Sequence, residues 1–205
     1  MLATLLGVVL LLAGGFVAFW AMAGPSGPPA DAQAIPVTIG IAVPEVNGSP
    51  VAQPLAPSVP VRIVIPAIAV DAPVTKLGLD PDGTVQVPPL DNHNLAGWYT
   101  GSVTPGAQGA AVMLGHVDSW SGGSVFFKIK DLKSGDKVDV IRANGSTAVF
   151  TVDGLQKAVK VTFPTSQVYG NPGYPALRLV TCGGPFDAAT GSYLDNIIVY
   201  AHLTN

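Results

Sequence analysis

Cysteine occurs once in the 205-residue chain, at Cys182, and histidine three times, at His93, His116 and His202. A single thiol cannot close an intramolecular disulfide, so Cys182 is read for its reactivity. It ends the apolar run 177–182 and precedes Gly183 and Gly184. A thiolate is a strong nucleophile, and populating it takes a neighbouring base or cation. His116 is the histidine placed to serve, because it directly follows the apolar run 110–114. Two strand ends, one carrying sulfur and the other imidazole, can meet across a small barrel. His93 lies in the polar loop 91–94, and His202 lies in the last residues, where exposure is expected. The chemistry on offer is nucleophilic catalysis, with the imidazole as proton donor and acceptor.

Attack on a carbonyl creates an oxyanion, which needs donors or a positive charge. The chain has three arginines, Arg62, Arg142 and Arg178. In an extended strand, residues 178, 180 and 182 share a face. Arg178 therefore points to the side of the thiol, with about 13 Å between the two Cα atoms. A guanidinium at that range is expected to reach the carbonyl of a bound substrate, which makes Arg178 the third catalytic candidate. The alternatives are an exposed strand arginine or a structural ion pair. Backbone amides at Gly183 and Gly184 are another donor source, equally readable as a turn. Thr181 points to the opposite face and is expected to buttress the site. Asp118 is read as a turn acid rather than as a carboxylate orienting His116. Trp98, Tyr99 and Trp120 are read as packing residues. No Cys/His cluster has zinc-site spacing and no glycine-rich phosphate loop is present, so no cofactor or metal is expected.

The elements that must position these residues are short strands. The chain holds 24 glycines and 19 prolines, a composition of turns rather than of helical bundles. Residues 61–65, 110–114, 137–142, 147–152, 177–182 and 196–202 read as strands, and 84–87 as a short one. Asp80-Pro81-Asp82-Gly83 and Asn144-Gly145 are turn signals. Residues 125–132 suit a short helix or a strand. No long segment has helical period, so a closed or nearly closed β-barrel is expected. Net charge is −3, which offers no electrostatic case for nucleic acid.

Residues 2–23 are uncharged and rich in Leu, Val, Ala and Phe. As a helix they would be about 33 Å long, enough to cross a hydrocarbon core of about 30 Å. A membrane anchor over 1–23 is favoured over a cleaved signal peptide, although Ala21-Met22-Ala23 fits a cleavage site. Residues 24–60, rich in Pro and Ala, read as an extended tether. Residues 61–205 are the folded domain.

The run Leu177-Arg178-Leu179-Val180-Thr181-Cys182 resembles the TLxTC signature of sortases, and Leu114-Gly115-His116 resembles their histidine motif. Ile65-Pro66-Ala67-Ile68-Ala69-Val70, Gly97-Trp98-Tyr99 and the tail 193–201 extend the resemblance from about Val61 to the end. Thr181-Cys182-Gly183-Gly184-Pro185-Phe186-Asp187 and that tail look most like class F sortases, with class E next. The resemblance implies an eight-stranded barrel, anchored in the membrane of a Gram-positive cell with the catalytic domain outside the cytoplasm. It implies a cysteine transpeptidase that cleaves an LPxTG-type sorting signal between Thr and Gly through an acyl-thioester. An amine of a peptidoglycan precursor would accept the acyl group. Cys182 would be the nucleophile and His116 the acid and base. The family arginine often sits on the strand after the cysteine, where this chain has Leu194 and Asn196. That departure supports an alternative, a catalytically silent barrel that kept the fold as a binding module. A papain-like protease would want its cysteine early, at a helix start.

Overall fold

A computed structural model describes residues 51–205. The expected anchor and most of the expected tether lie outside the described residues. Among those described, no helix is long and apolar enough to cross a membrane. Ten strands form: β1 Pro60–Ile65, β2 Val70–Leu77, β3 Ala96–Tyr99, β4 Gly109–Leu114, β5 Asp118–Ser119, β6 Gly122–Gly123, β7 Lys137–Arg142, β8 Thr147–Val159, β9 Pro175–Asp187 and β10 Ser192–Leu203. Eight of them close a barrel in the order β1-β2-β3-β4-β9-β10-β8-β7, and β5 pairs with β6 as a separate small hairpin. The expected mainly-β closed barrel is therefore the observed architecture. One short helix, α1 Thr165–Tyr169, and three single 3-10 turns complete the described elements.

The strand patterns follow from what covers each face. In β7, Val138 and Val140 point into the barrel while Asp139 and Ile141 alternate outward. β4 and the first part of β9, through Thr181, are buried, because apolar layers cover both of their faces. Ala111, Met113, Leu177 and Leu179 fill the barrel, whereas Val112, Leu114 and Val180 join a second cluster on its outside. A strand sandwiched in this way reads as a continuous apolar run, as 110–114 and 177–182 do. The outer cover is the connection 160–174, whose Phe163, Val168 and Tyr169 pack on Leu77, Ile198 and Tyr200. In α1 only Val168 is fully buried. One such side chain contributes about 1.5–3 kcal/mol, so this cover is held far less firmly than the barrel beneath it.

The Asn144-Gly145 hairpin forms as expected: the Gly145 amide donates to the Arg142 carbonyl at 2.9 Å, with Gly145 at φ 83°. Residues 125–132 are neither a strand nor an α-helix. They form turns, with a 3-10 turn at Ile129–Asp131, that press Phe126, Ile129 and Leu132 into the core. The strand expected over 84–87 does not form, and only an isolated bridge joins Leu79 to Val85. Pro88 and Pro89 follow at once and have no N–H to extend a ladder. Residues 51–59, assigned above to the tether, lie on the barrel without regular structure. Ala52 N–H donates to the Leu203 carbonyl at 2.9 Å and Leu55 N–H to that of Gly106 at 2.8 Å. The buried Arg142 donates from Nη1 to the Ala56 carbonyl at 2.9 Å.

Candidate active site

β4 and β9 are parallel neighbours, and their last register pair is Leu114 with Val180. His116 and Cys182 each stand two residues beyond that pair. Adjacent strands lie about 4.8 Å apart, so equal steps past a shared rung bring both residues to one end of the barrel. Two hydrogen bonds tie the rungs: Gly115 N–H to the Val180 carbonyl at 3.2 Å, and the Thr181 hydroxyl to the Gly115 carbonyl at 2.7 Å. Thr181 is buried on the opposite face from the thiol, the buttressing position expected for it. Gly115 is tightly enclosed, since a Cβ there would meet Phe126 at 2.6 Å and Val125 at 2.7 Å.

Cys182 and His116 line the same cavity of about 310 Å³. Its wall adds Val117, Asp118, Ser119 and Trp120 after the histidine, and Phe186, Gly191, Ser192 and Tyr193 from the β9–β10 hairpin. Leu90 closes it from the loop before β3. Cys182 is a free, partly exposed thiol. His116 Nε2 lies 2.6 Å from the Pro88 carbonyl. A carbonyl only accepts, so Nε2 carries the proton and Nδ1 is the nitrogen left to exchange one. The imidazole is thus oriented by backbone. Asp118 is not its orienting acid, because its carboxylate accepts from the Tyr193 hydroxyl. That bond, with burial and the nearby charge of Asp118, raises the Tyr193 pKa.

β9 does not stop at Cys182. It runs on to Asp187, and the glycine pair lies inside the strand where its register with β10 shifts between Tyr193 and Asp195. Gly184 has φ +76°, and a Cβ there would stand 2.0 Å from Asp195 Oδ2. The glycines therefore shape a strand irregularity rather than a terminating turn.

Arg178 does share the thiol's strand face, but its guanidinium is not on the cavity wall. It is buried beneath the connection 160–174. Nε donates to the Gln167 carbonyl at 3.3 Å and Nη1 to that of Leu177 at 3.1 Å, and the group stacks 4.7 Å from the Tyr200 ring centre. Burial lowers its pKa, against raising contributions from Tyr174, Tyr200 and Asp153. The alternation of the strand was read correctly; what covers that face was not visible in it. His202 is also placed differently from expectation. It is buried, with Nδ1 2.5 Å from Asp153 Oδ1. Burial raises the Asp153 pKa, and the His202 hydrogen bond opposes it. His93 is exposed in its loop, 2.7 Å from the Ser121 hydroxyl. Trp98 packs in the core, with its indole N–H on the Val103 carbonyl at 3.0 Å, whereas Trp120 is 95% exposed at the cavity rim.

The Sortase domain model matches residues 63–204. The chain belongs to the sortase family. Sortases are cysteine transpeptidases, and this sortase is one. Its fold is similar to that of sortase A from Corynebacterium diphtheriae in a lid mutant, at 22% identity over 74% of this chain and 73% of the other, with a TM-score of 0.56. Sortase C-1 from Actinomyces oris is 25% identical over 70% of this chain and 71% of its own, at a TM-score of 0.54. A Clostridium perfringens sortase D5 transpeptidase is 21% identical over 70% and 78%, at 0.52. No curated protein matches the chain.

Among the wall or anchoring residues of this sortase that sequence reasoning missed are Pro88, Leu90, Phe186, Ser192 and Tyr193. Phe186 and Tyr193 stack edge to face at 5.2 Å across the β9–β10 hairpin. They meet as a cross-strand pair only because the bulge shifts the register. Pro88 and Leu90 sit in a loop with no periodicity, where nothing local marks a carbonyl destined for His116.

Proposed function

We propose that this sortase cleaves an LPxTG-type sorting signal between Thr and Gly and transfers the acyl group to an amine of the cell wall. The carrying observation is the shared cavity of Cys182 and His116, each two residues past the pair Leu114 with Val180. Cys182 Sγ attacks the Thr carbonyl carbon. The C–N bond then breaks, with the His116 imidazolium giving its proton to the leaving Gly amine. An incoming amine loses its proton to His116 and attacks the thioester, and the C–S bond breaks to free the sulfur as a thiolate beside the imidazolium. The apolar wall of Leu90, Trp120 and Phe186 suits the Leu and Pro of such a signal.

The run 181–187 and the tail 193–201 support a place in class F, with class E next. The uncharged segment 2–23 supports a single-pass anchor in a Gram-positive cell membrane with the barrel outside, facing surface-protein substrates and peptidoglycan precursors. Incubating the protein with a fluorogenic LPxTG peptide and an amine tests the reaction. Cleavage and amine adduct that vanish in Cys182→Ala and His116→Ala support it. A wild type inert to a panel of sorting signals favours the silent barrel, which the lack of any Lys or Arg on the cavity wall also suits.

A further inference from the structure

Among the described residues that line the cavity, Asp118 is the only Asp, Glu, Lys or Arg. It is partly buried, and no described Lys or Arg pairs with it. Lys160 bonds to the Ser192 hydroxyl at 2.7 Å without itself lining the cavity. A lone carboxylate gives the cavity a preference for cations. Asp118 stands two residues past His116, so their Cα atoms are at most about 7 Å apart. The two side chains are held by different anchors: His116 Nε2 is on the Pro88 carbonyl, and Asp118 Oδ2 is on the Tyr193 hydroxyl. Nδ1 of the one and Oδ1 of the other are left without a hydrogen bond among the described residues.

The Tyr193 anchor joins two walls of the cavity. Tyr193 pairs with Phe186, which lies about 13 Å along β9 from Cys182. Its hydroxyl meets Asp118 on the wall that begins at His116. The carboxylate is therefore fixed between the hairpin end of the cavity and the imidazole end. A hydroxyl donor holds it in place and leaves its negative charge uncancelled. Acyl transfer brings two reactants to this cavity. An LPxTG signal has no charged residue among its fixed positions. The acceptor is a primary amine, and an alkylamine with a pKa near that of Lys, about 10.4, arrives as an ammonium at neutral pH. The acceptor is thus the reactant whose charge the lone carboxylate matches, and it must come beside the imidazole before it can attack.

We propose that Asp118 is the acceptor-specificity residue of this sortase: its carboxylate, positioned by Tyr193, holds the alkylammonium of the incoming amine beside His116. This rests on the acyl-transfer reading above. One ammonium proton leaves to solvent water. A second passes to His116 as the C–N bond forms and the C–S bond breaks to release the thiolate. Asp118 has no part in forming the thioester. The test makes the thioester with an LPxTG peptide and follows its transfer, near neutral pH, to two acceptors. One is Nα-acetyl-lysine amide, an ammonium, and the other is hydroxylamine, which is uncharged there. Asp118→Asn keeps an oxygen for Tyr193 and loses the charge. It is expected to lower kcat/KM for the lysine compound about tenfold, through KM, and to leave hydroxylamine transfer and thioester formation within about twofold of wild type. Tyr193→Phe, which keeps the charge and frees the carboxylate, raises KM for the lysine compound about threefold and spares hydroxylamine. In the wild type, added salt weakens transfer to the lysine compound and not to hydroxylamine. Equal losses with both acceptors in Asp118→Asn, no loss with either, or a wild-type thioester that the lysine compound never resolves overturns the proposal alone. A wild type that forms no thioester overturns the acyl-transfer reading, and this proposal with it.

Discussion

Replacing Thr181 with valine removes one hydroxyl and almost no volume, and that hydroxyl joins the strand of Cys182 to the strand that leads to His116. It donates to the Gly115 carbonyl at 2.7 Å, between the residue before Cys182 and the residue before His116. The bond is buried, so in Thr181→Val the carbonyl loses its side-chain partner where water is excluded. A buried acceptor stripped of a partner costs about 1–3 kcal/mol. For a domain of this size each kcal/mol lowers Tm by about 2–4 °C. The parallel pairing of β4 with β9 and the Gly115 N–H bond to Val180 survive, so the fold persists. What loosens is the spacing of Sγ and imidazole. If the whole loss appears in the acylation barrier, 1–3 kcal/mol slows the reaction by about 5- to 150-fold. Thr181→Ser keeps the hydroxyl and should keep most of the rate, although it loses a buried methyl. Urea melts give the stability change and single-turnover acylation gives the rate. A Thr181→Val protein as stable and as fast as wild type refutes the claim that this bond holds the two catalytic strand ends in register.

Arg178→Ala should act first on stability. It removes two hydrogen bonds, the stacking on Tyr200 and a buried stem, a loss of about 2–5 kcal/mol in denaturant melts. Acylation by the protein that remains folded should stay within a few fold of wild type, and a 10²–10³-fold loss there would return the guanidinium to the transition state. A chain beginning at Val51 should melt close to the full domain, whereas one beginning at Val61 should melt several degrees lower. The second cut removes Ala52, Leu55 and the Ala56 carbonyl that satisfies buried Arg142, and equal melting temperatures would show that residues 51–60 carry no stability.

The barrel was legible because its strands alternate or run apolar according to what covers them. Residues 137–142 alternate against solvent, and 177–182 is apolar because both faces are covered. That Cys182 and His116 come to one cavity was legible for the same reason, since each stands at the end of an apolar run. Arg178 shows the limit of that logic. Alternation gives the face, but the cover over it comes from residues 160–174, which are distant in sequence and held by few apolar contacts. His202 was misread as exposed because its position near the end of the chain hid its place in the long strand β10, opposite Thr151 and beside Asp153. The Pro88 carbonyl on His116 is a contact between irregular segments, and no period marks such segments.

The measurement closest to the central claim is the intact mass of the protein after brief mixing with an LPxTG peptide, without an amine acceptor. A mass gain equal to the peptide fragment ending in Thr, present in the wild type and absent from Cys182→Ala and His116→Ala, is the predicted result. The same gain in Cys182→Ala, or none in a wild type that consumes the peptide, contradicts a thioester made by this sulfur with the help of this imidazole.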